Sequence, residues 1–282
     1  MSDRRHNESV KKHYQQTTSF YERFWSWGVS SLHAGFYDRN HLSPASAMVN
    51  TNKVLASLVK ITQSDRVLDA GCGVGGSTVW MAKNTGARVF GINLSPLQIE
   101  KAKRLAEKNS VGKIVIFKTG DYCNSKFPNK FFSVVWALES VCHATDKKAF
   151  LQEANRLLKP GGRLIVSDGF LTIPQERLPT TLRWLLGIFE RGYNLGKLVS
   201  LEEFKDFLIK TGFRKVRFID KSAAVRPNWW LGLLICLFCL PAWPLMILVG
   251  RPEIVRLGIT GIMQPFGELL GIGKYGIFLA TK

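Results

Sequence analysis

From residue 66 onward, short apolar runs rich in β-branched residues alternate with amphipathic stretches. That alternation predicts βαβ units around a parallel sheet. Strands are expected at 66–70, 88–92, 113–118, 131–137 and 163–168, with a sixth at 213–220 and a last at 275–281. Right-handed crossovers between them give a doubly wound sheet. Ser95 supplies an N-cap with Pro96 at the first helical position, ahead of a helix through 97–109. Lys159-Pro160-Gly161-Gly162 reads as the stop before the fifth strand, and 201–211 as a further helix. Residues 1–60 contain no strand-like run. Tyr14, Phe20, Tyr21, Phe24, Trp25 and Trp27 are set among polar residues there, which predicts a helical cap over a pocket.

Residues 229–249 carry no charge and lie between Arg226 and Arg251. By length alone such a run qualifies as a membrane span. The strands on either side of it should pair in one sheet, however, so a single crossing has no way back. Residues 254–272 are a poor second span because they contain Arg256, Glu268 and several glycines. Pro241 and Pro244 interrupt the run near its middle, which suits a helical hairpin dipping into one leaflet or an apolar lid. Trp229, Trp230 and Trp243 then serve as interfacial anchors. The other reading is a buried dimer contact or a pocket-lining helix. The chain thus divides into a cap at 1–60, a core at 61–220, an apolar insertion at 221–273 and a last strand at 274–282.

At 282 residues the chain has room for one catalytic domain with additions. Its formal net charge of +18 points to nucleic acid, an anionic membrane or an acidic substrate. The basic residues are scattered singly or in pairs such as Arg4-Arg5, Lys11-Lys12 and Lys147-Lys148, so a nucleic-acid arm is not expected. The membrane surface fits the apolar run. Five cysteines, at 72, 123, 142, 236 and 239, sit in apolar contexts and give no disulfide framework. Cys236 and Cys239 lack a second ligand pair, so no metal site is expected. The polar N-terminus shows no secretory h-region, which places the protein in the cytoplasm, on the cytosolic face of a membrane.

The sharpest local signal is Val67-Leu68-Asp69-Ala70-Gly71-Cys72-Gly73-Val74-Gly75-Gly76, an apolar strand running into a tight glycine turn that opens a helix. Glycines there let a ligand approach the backbone at the carboxyl end of the strand. No Lys-Ser or Lys-Thr follows, so phosphoryl transfer through a P-loop is disfavoured. A dehydrogenase would need an acidic residue after the second strand, where Asn93 stands. The run resembles the first motif of class I S-adenosylmethionine-dependent methyltransferases, and the order of later motifs agrees with that family over residues 65–170. The resemblance implies a Rossmann-like, seven-stranded α/β fold and S-adenosylmethionine as cofactor, with Asp69, Gly71, Cys72 and Gly73 at its site. Gly91-Ile92-Asn93-Leu94-Ser95-Pro96-Leu97-Gln98 is similar to the subgroup of tocopherol, cyclopropane fatty acid and sterol methyltransferases. It implies that Asn93, Leu94 and Gln98 hold the ribose, although Asn93 and Ser95 also suit a helix cap. By the same resemblance Asp121 accepts from the adenine amino group and Tyr122 flanks the ring.

The fourth strand runs into Glu139 and His143, and a spacing of four puts both on one face if a helix starts there. The segment is similar to the Ile-Glu-Ala-x-x-His-Ala pattern of sterol C-methyltransferases. The aromatic string from Phe20 through Trp27 to His33 resembles that family's Tyr-Glu-x-Gly-Trp-Gly region. C-methylation of an alkene forms a carbocation, which calls for a carboxylate, aromatic faces and a base. Glu139 and His143 are therefore the candidate catalytic residues, with Asp168 at the end of the fifth strand a weaker one. The expected acceptor is a hydrophobic small molecule, a sterol or other isoprenoid. The alternatives are N- or O-methylation of a small amine, phenol or quinol, and a non-catalytic cofactor-binding membrane adaptor.

Overall fold

The computed structural model describes residues 2–282. Two helices, α1 (Ser2–Phe24) and α2 (Pro44–Leu58), precede the sheet. The core then alternates β1 (Arg66–Ala70), α3 (Gly76–Thr85), β2 (Arg88–Asn93), α4 (Pro96–Lys108), β3 (Val115–Thr119), β4 (Phe132–Leu138), α5 (Lys147–Leu157) and β5 (Leu158–Leu171). It closes with α6 (Thr180–Gly192), α7 (Leu201–Lys210), β6 (Arg214–Asp220), α8 (Ser222–Cys239), α9 (Trp243–Leu248), α10 (Pro252–Leu269) and β7 (Gly273–Thr281).

The seven strands lie in the order β3-β2-β1-β4-β5-β7-β6. Strands β1 to β5 run parallel, whereas β7 is antiparallel to both β5 and β6. Successive strand residues face opposite sides, so the core forms two layers. Leu68, Ile92, Val135 and Val166 pack with α5 and α7 on one side. Val67, Val89, Val134 and Ile165 pack with α2 and α3 on the other. Burial on both faces explains why these strands read as continuous apolar runs.

The helix starts follow local chemistry. Ser95 accepts from the Gln98 N–H ahead of α4, and Ser200 forms a capping box with Glu203 ahead of α7. β5 starts at Leu158, earlier than the sequence suggests. Leu158 pairs with Phe132 before a bulge, so Lys159 to Gly162 belong to the strand. In the apolar run, Pro241 lies in a 3-10 turn spanning Leu240–Ala242 and Pro244 in the first turn of α9, where no helical N–H is lost.

Candidate active site

The carboxyl ends of β1, β2, β4 and β5 meet beneath α1 and enclose a cavity of ≈ 710 Å³. That size is usual for ligand sites, which run from roughly 300 to 1,000 Å³. Every residue expected at the site lines it: Asp69, Gly71, Cys72, Gly73, Asn93, Leu94, Gln98, Asp121, Tyr122, Glu139 and His143.

β1 delivers Asp69 and then turns through Gly71 to Gly73 into α3. The Gly71 and Cys72 N–H groups both donate to the Ile92 carbonyl, at 2.9 and 3.1 Å, which pins the turn to β2. Asp69 is buried and accepts from the Thr78 hydroxyl; burial pushes its carboxyl up to about 7, against that hydrogen bond. Gly73 has φ +53°, and a Cβ there would meet nothing within 4 Å, so it would project into open space. At Gly71, φ +89°, a Cβ would come within 2.5 Å of the Ser140 Cβ. The two glycines are thus needed for different reasons, one to keep the cavity open and the other to let the wall close.

Asn93 ends β2 and donates through Nδ2 to Gln98 Oε1 at 2.6 Å; Gln98 Nε2 donates to the Thr18 hydroxyl of α1 at 3.0 Å. Asp121 accepts from the Cys123 N–H through one oxygen and from the Asn7 side chain of α1 through the other, both at 2.8 Å. A carboxylate has about four acceptor sites, so capacity remains for a ligand donor. Tyr122 is buried, and its hydroxyl donates to the Ser140 carbonyl at 2.7 Å.

β4 stops at Leu138, and Glu139 takes φ +49°, a costly conformation for a residue with a side chain. A single 3-10 turn, Val141–His143, follows. Glu139 and His143 therefore do not share the helical face their spacing suggested, because the left-handed residue redirects the chain between them. Glu139 Oε1 accepts from the Ala34 N–H at 2.9 Å and from the Tyr275 hydroxyl of β7 at 2.8 Å. Part of its surface stays open to the cavity, but it lies deep in the protein. Desolvation pushes its carboxyl up to about 7; the two hydrogen bonds oppose this shift and the nearby Asp168 adds to it.

Both nitrogens of His143 are engaged. Nδ1 lies 3.1 Å from the Asn194 carbonyl, which can only accept, so Nε2 accepts from the Tyr14 hydroxyl at 2.8 Å. Burial lowers its pKa to about 4, so the ring is neutral at pH 7. His143 is thereby an anchor for α1 rather than an unoccupied base. Tyr14→Phe should leave Nε2 without its donor and loosen α1 by about 1–3 kcal/mol. Faster amide exchange through α1, with the sheet unaltered, is the expected signature; unchanged exchange would place the anchor elsewhere. Asp168 accepts from the Cys142 and Gly169 N–H groups, each at 2.9 Å, and its carboxyl is raised by burial.

Three further contributors were not among the candidate site residues. Tyr275 reaches Glu139 only because β7 inserts beside β5, where it pairs with Gly169. His33 is buried on the cavity wall; Nδ1 donates to the Ala34 carbonyl at 2.9 Å, and Nε2 has no partner among the described residues. Helix α6 contributes Leu182, Leu186 and Phe189 to the wall. Its signal was the amphipathic run at 182–189.

The cradle fits S-adenosylmethionine: open space over Gly73, and on the cavity wall Asn93 at the end of β2 and Asp121 after β3, with acceptor capacity for a ligand. The chain matches the methyltransferase-domain family over residues 68–166. It is 36% identical over 225 residues to the sterol 24-C-methyltransferase of Eremothecium gossypii, across 80% of this chain and 59% of that protein. It is 33% identical over 224 residues to the 27-O-demethylrifamycin SV methyltransferase of Amycolatopsis mediterranei, across 78% and 79%. The fold is shared with the cyclopropane synthase MmaA2 from Mycobacterium tuberculosis, with a TM-score of 0.84 at 17% identity over 98% of both chains. The glycine turn falls within the span shared with these proteins, and with the sheet order it places the chain in the class I S-adenosylmethionine-dependent methyltransferases.

Proposed function

We propose that this methyltransferase transfers its methyl group to carbon on a lipophilic acceptor, a sterol or other isoprenoid. The observation that carries the reading is Glu139, a deep-set carboxylate on a cavity wall that also holds Tyr14, Tyr21, Trp25, Trp229 and Tyr275. Methylation of an alkene leaves a carbocation on the acceptor, which a carboxylate and aromatic faces stabilise. An amine or phenol brings its own nucleophile and has no need of such a wall. The relative named a sterol 24-C-methyltransferase supports the assignment, although the chain spans only 59% of its length.

Bound S-adenosylmethionine supplies an electrophilic methyl on a sulfonium sulfur. Asp69, Gly71, Cys72 and Gly73 form its cradle; Asn93, Leu94 and Gln98 hold the ribose; Asp121 and Tyr122 hold the adenine. Glu139 faces the acceptor, stabilises the cation and then takes its proton. Of the cap expected at 1–60, α1 is the part held over the core at 61–220, through the bonds of Asn7, Tyr14 and Thr18 to Asp121, His143 and Gln98, and it excludes water from the reacting atoms. Residues 221–273 form an elaboration that rests on a membrane surface before 274–282 return to the sheet. Incubation with methyl-labelled S-adenosylmethionine and a lipid extract should place label on carbon in the sterol or isoprenoid fraction. Label confined to oxygen or nitrogen would overturn the carbon assignment.

A further inference from the structure

The cavity and the apolar surface of the protein meet at four large apolar side chains. Phe24 at the end of α1, Leu185 on α6, and Phe266 and Leu270 at the end of α10 line the cavity, and all four are also exposed on the outside. These apolar residues, shared by both surfaces, mark where the cavity opens onto the apolar face.

Around that opening the outer surface is apolar over several elements. Ser222–Leu248 is long and apolar enough to cross a membrane, yet only 6% of its most apolar window is buried. Phe238 near the end of α8 and Leu248 at the end of α9 are 84% and 83% exposed. Trp184 on α6 and Leu269 on α10 extend the patch beyond the run that the sequence singled out. The elements are held as one layer: α6 and α8 pack against α10, where glycines permit close approach. A Cβ at Gly258 would fall 2.4 Å from the Trp243 ring, and one at Gly261 would fall 2.7 Å from Cys236 Sγ. A crossing is ruled out by the sheet, because β6 and β7 are antiparallel neighbours with Asp220 opposite Gly276. The insertion leaves and rejoins the protein on one side.

We propose that this layer seats on an anionic bilayer, and that the cavity opens through the seated face, so that a lipophilic acceptor passes from the leaflet to the methyl donor without crossing water. Charge selects the occupant. A second copy would bring together two chains of formal net charge +18, whereas an anionic leaflet attracts that charge. Arg183, Arg191 and Arg251 lie on or beside the layer, Arg226 there is paired with Glu268 at 2.7 Å, and the α8–α9 bend itself carries no charge. The passage of acceptor rests on the lipophilic reading above; the seating does not.

The test uses the full chain and vesicles of phosphatidylcholine with or without phosphatidylglycerol. The protein should sediment with the anionic vesicles and be released as salt rises. Phe238→Glu with Leu248→Glu should weaken vesicle binding about tenfold or more. Neither residue lines the cavity, so calorimetry should show unchanged S-adenosylmethionine binding. On vesicles, amide exchange should slow in α6 and at 263–270 as well as in α8 and α9. Binding that ignores lipid charge, or survives the double substitution, would overturn the seating. Protection confined to 229–249 would overturn the opening through the seated face. A dimer that Leu248→Glu splits, with no vesicle binding, would make a second copy the occupant and overturn the proposal. Each readout is taken without acceptor, so an error in the acceptor's identity leaves it unchanged.

Discussion

Glu139→Gln is expected to lower turnover about a hundredfold or more while leaving S-adenosylmethionine affinity nearly unchanged. Glutamine keeps the shape and an oxygen able to accept from Ala34 and Tyr275, so the fold and the cavity wall should persist. Only the charge and the basicity are lost. Because desolvation places the Glu139 carboxyl at about 7, turnover of the native enzyme should rise with pH through that value as the carboxylate forms, and the variant should lose this limb. The stability effect has the opposite sign. With its pKa raised above the unfolded value, the group favours the fold at low pH, and that contribution is lost as pH rises through about 7. Tyr275→Phe tests the same wiring: the tyrosine hydrogen bond lowers the carboxyl, so its removal should move the activity limb to higher pH. Near-normal turnover in Glu139→Gln would remove the cation-stabilising role and favour an acceptor that carries its own nucleophile.

What the sequence makes legible are features whose cause is local. The glycine turn after β1, the Ser95 cap, the helix that starts at Leu201 and the apolar strands each depend on neighbouring residues, and the structure has them at or near the expected positions. Features that depend on distant pairing are not legible. Tyr14 and His143 are 129 residues apart, and nothing in either segment shows that a hydroxyl from α1 occupies the imidazole. Tyr275 reads as one more residue in a final strand until the insertion of β7 beside β5 brings it to Glu139. Lys159-Pro160-Gly161-Gly162 reads as a stop because its residues disfavour helix, but it cannot show that Leu158 already pairs with β4. Pro227 and Pro265 lie inside α8 and α10, where local rules would end a helix.

The same distinction between local cause and distant contact separates the two glycines of the turn. Gly73→Val is expected to abolish S-adenosylmethionine binding in a protein that still folds. At φ +53° any side chain adds strain, about 1–2 kcal/mol for an L-residue, which a domain of ordinary stability tolerates. With nothing within 4 Å of a Cβ at this position, the added carbons do not strike the protein. They project instead into the cradle that the cofactor needs, and a branched side chain fills it. Gly73→Ala should therefore weaken binding less than valine does. Gly71→Ala should behave differently, because its Cβ would fall 2.5 Å from the Ser140 Cβ; the loss there is one of stability, seen as a lower melting temperature before any change in affinity. Calorimetric titration alongside thermal melting separates the two outcomes. Retained cofactor affinity in a folded Gly73→Val variant would show that the ligand does not approach the turn at this point, and would remove the placement of the cofactor against β1.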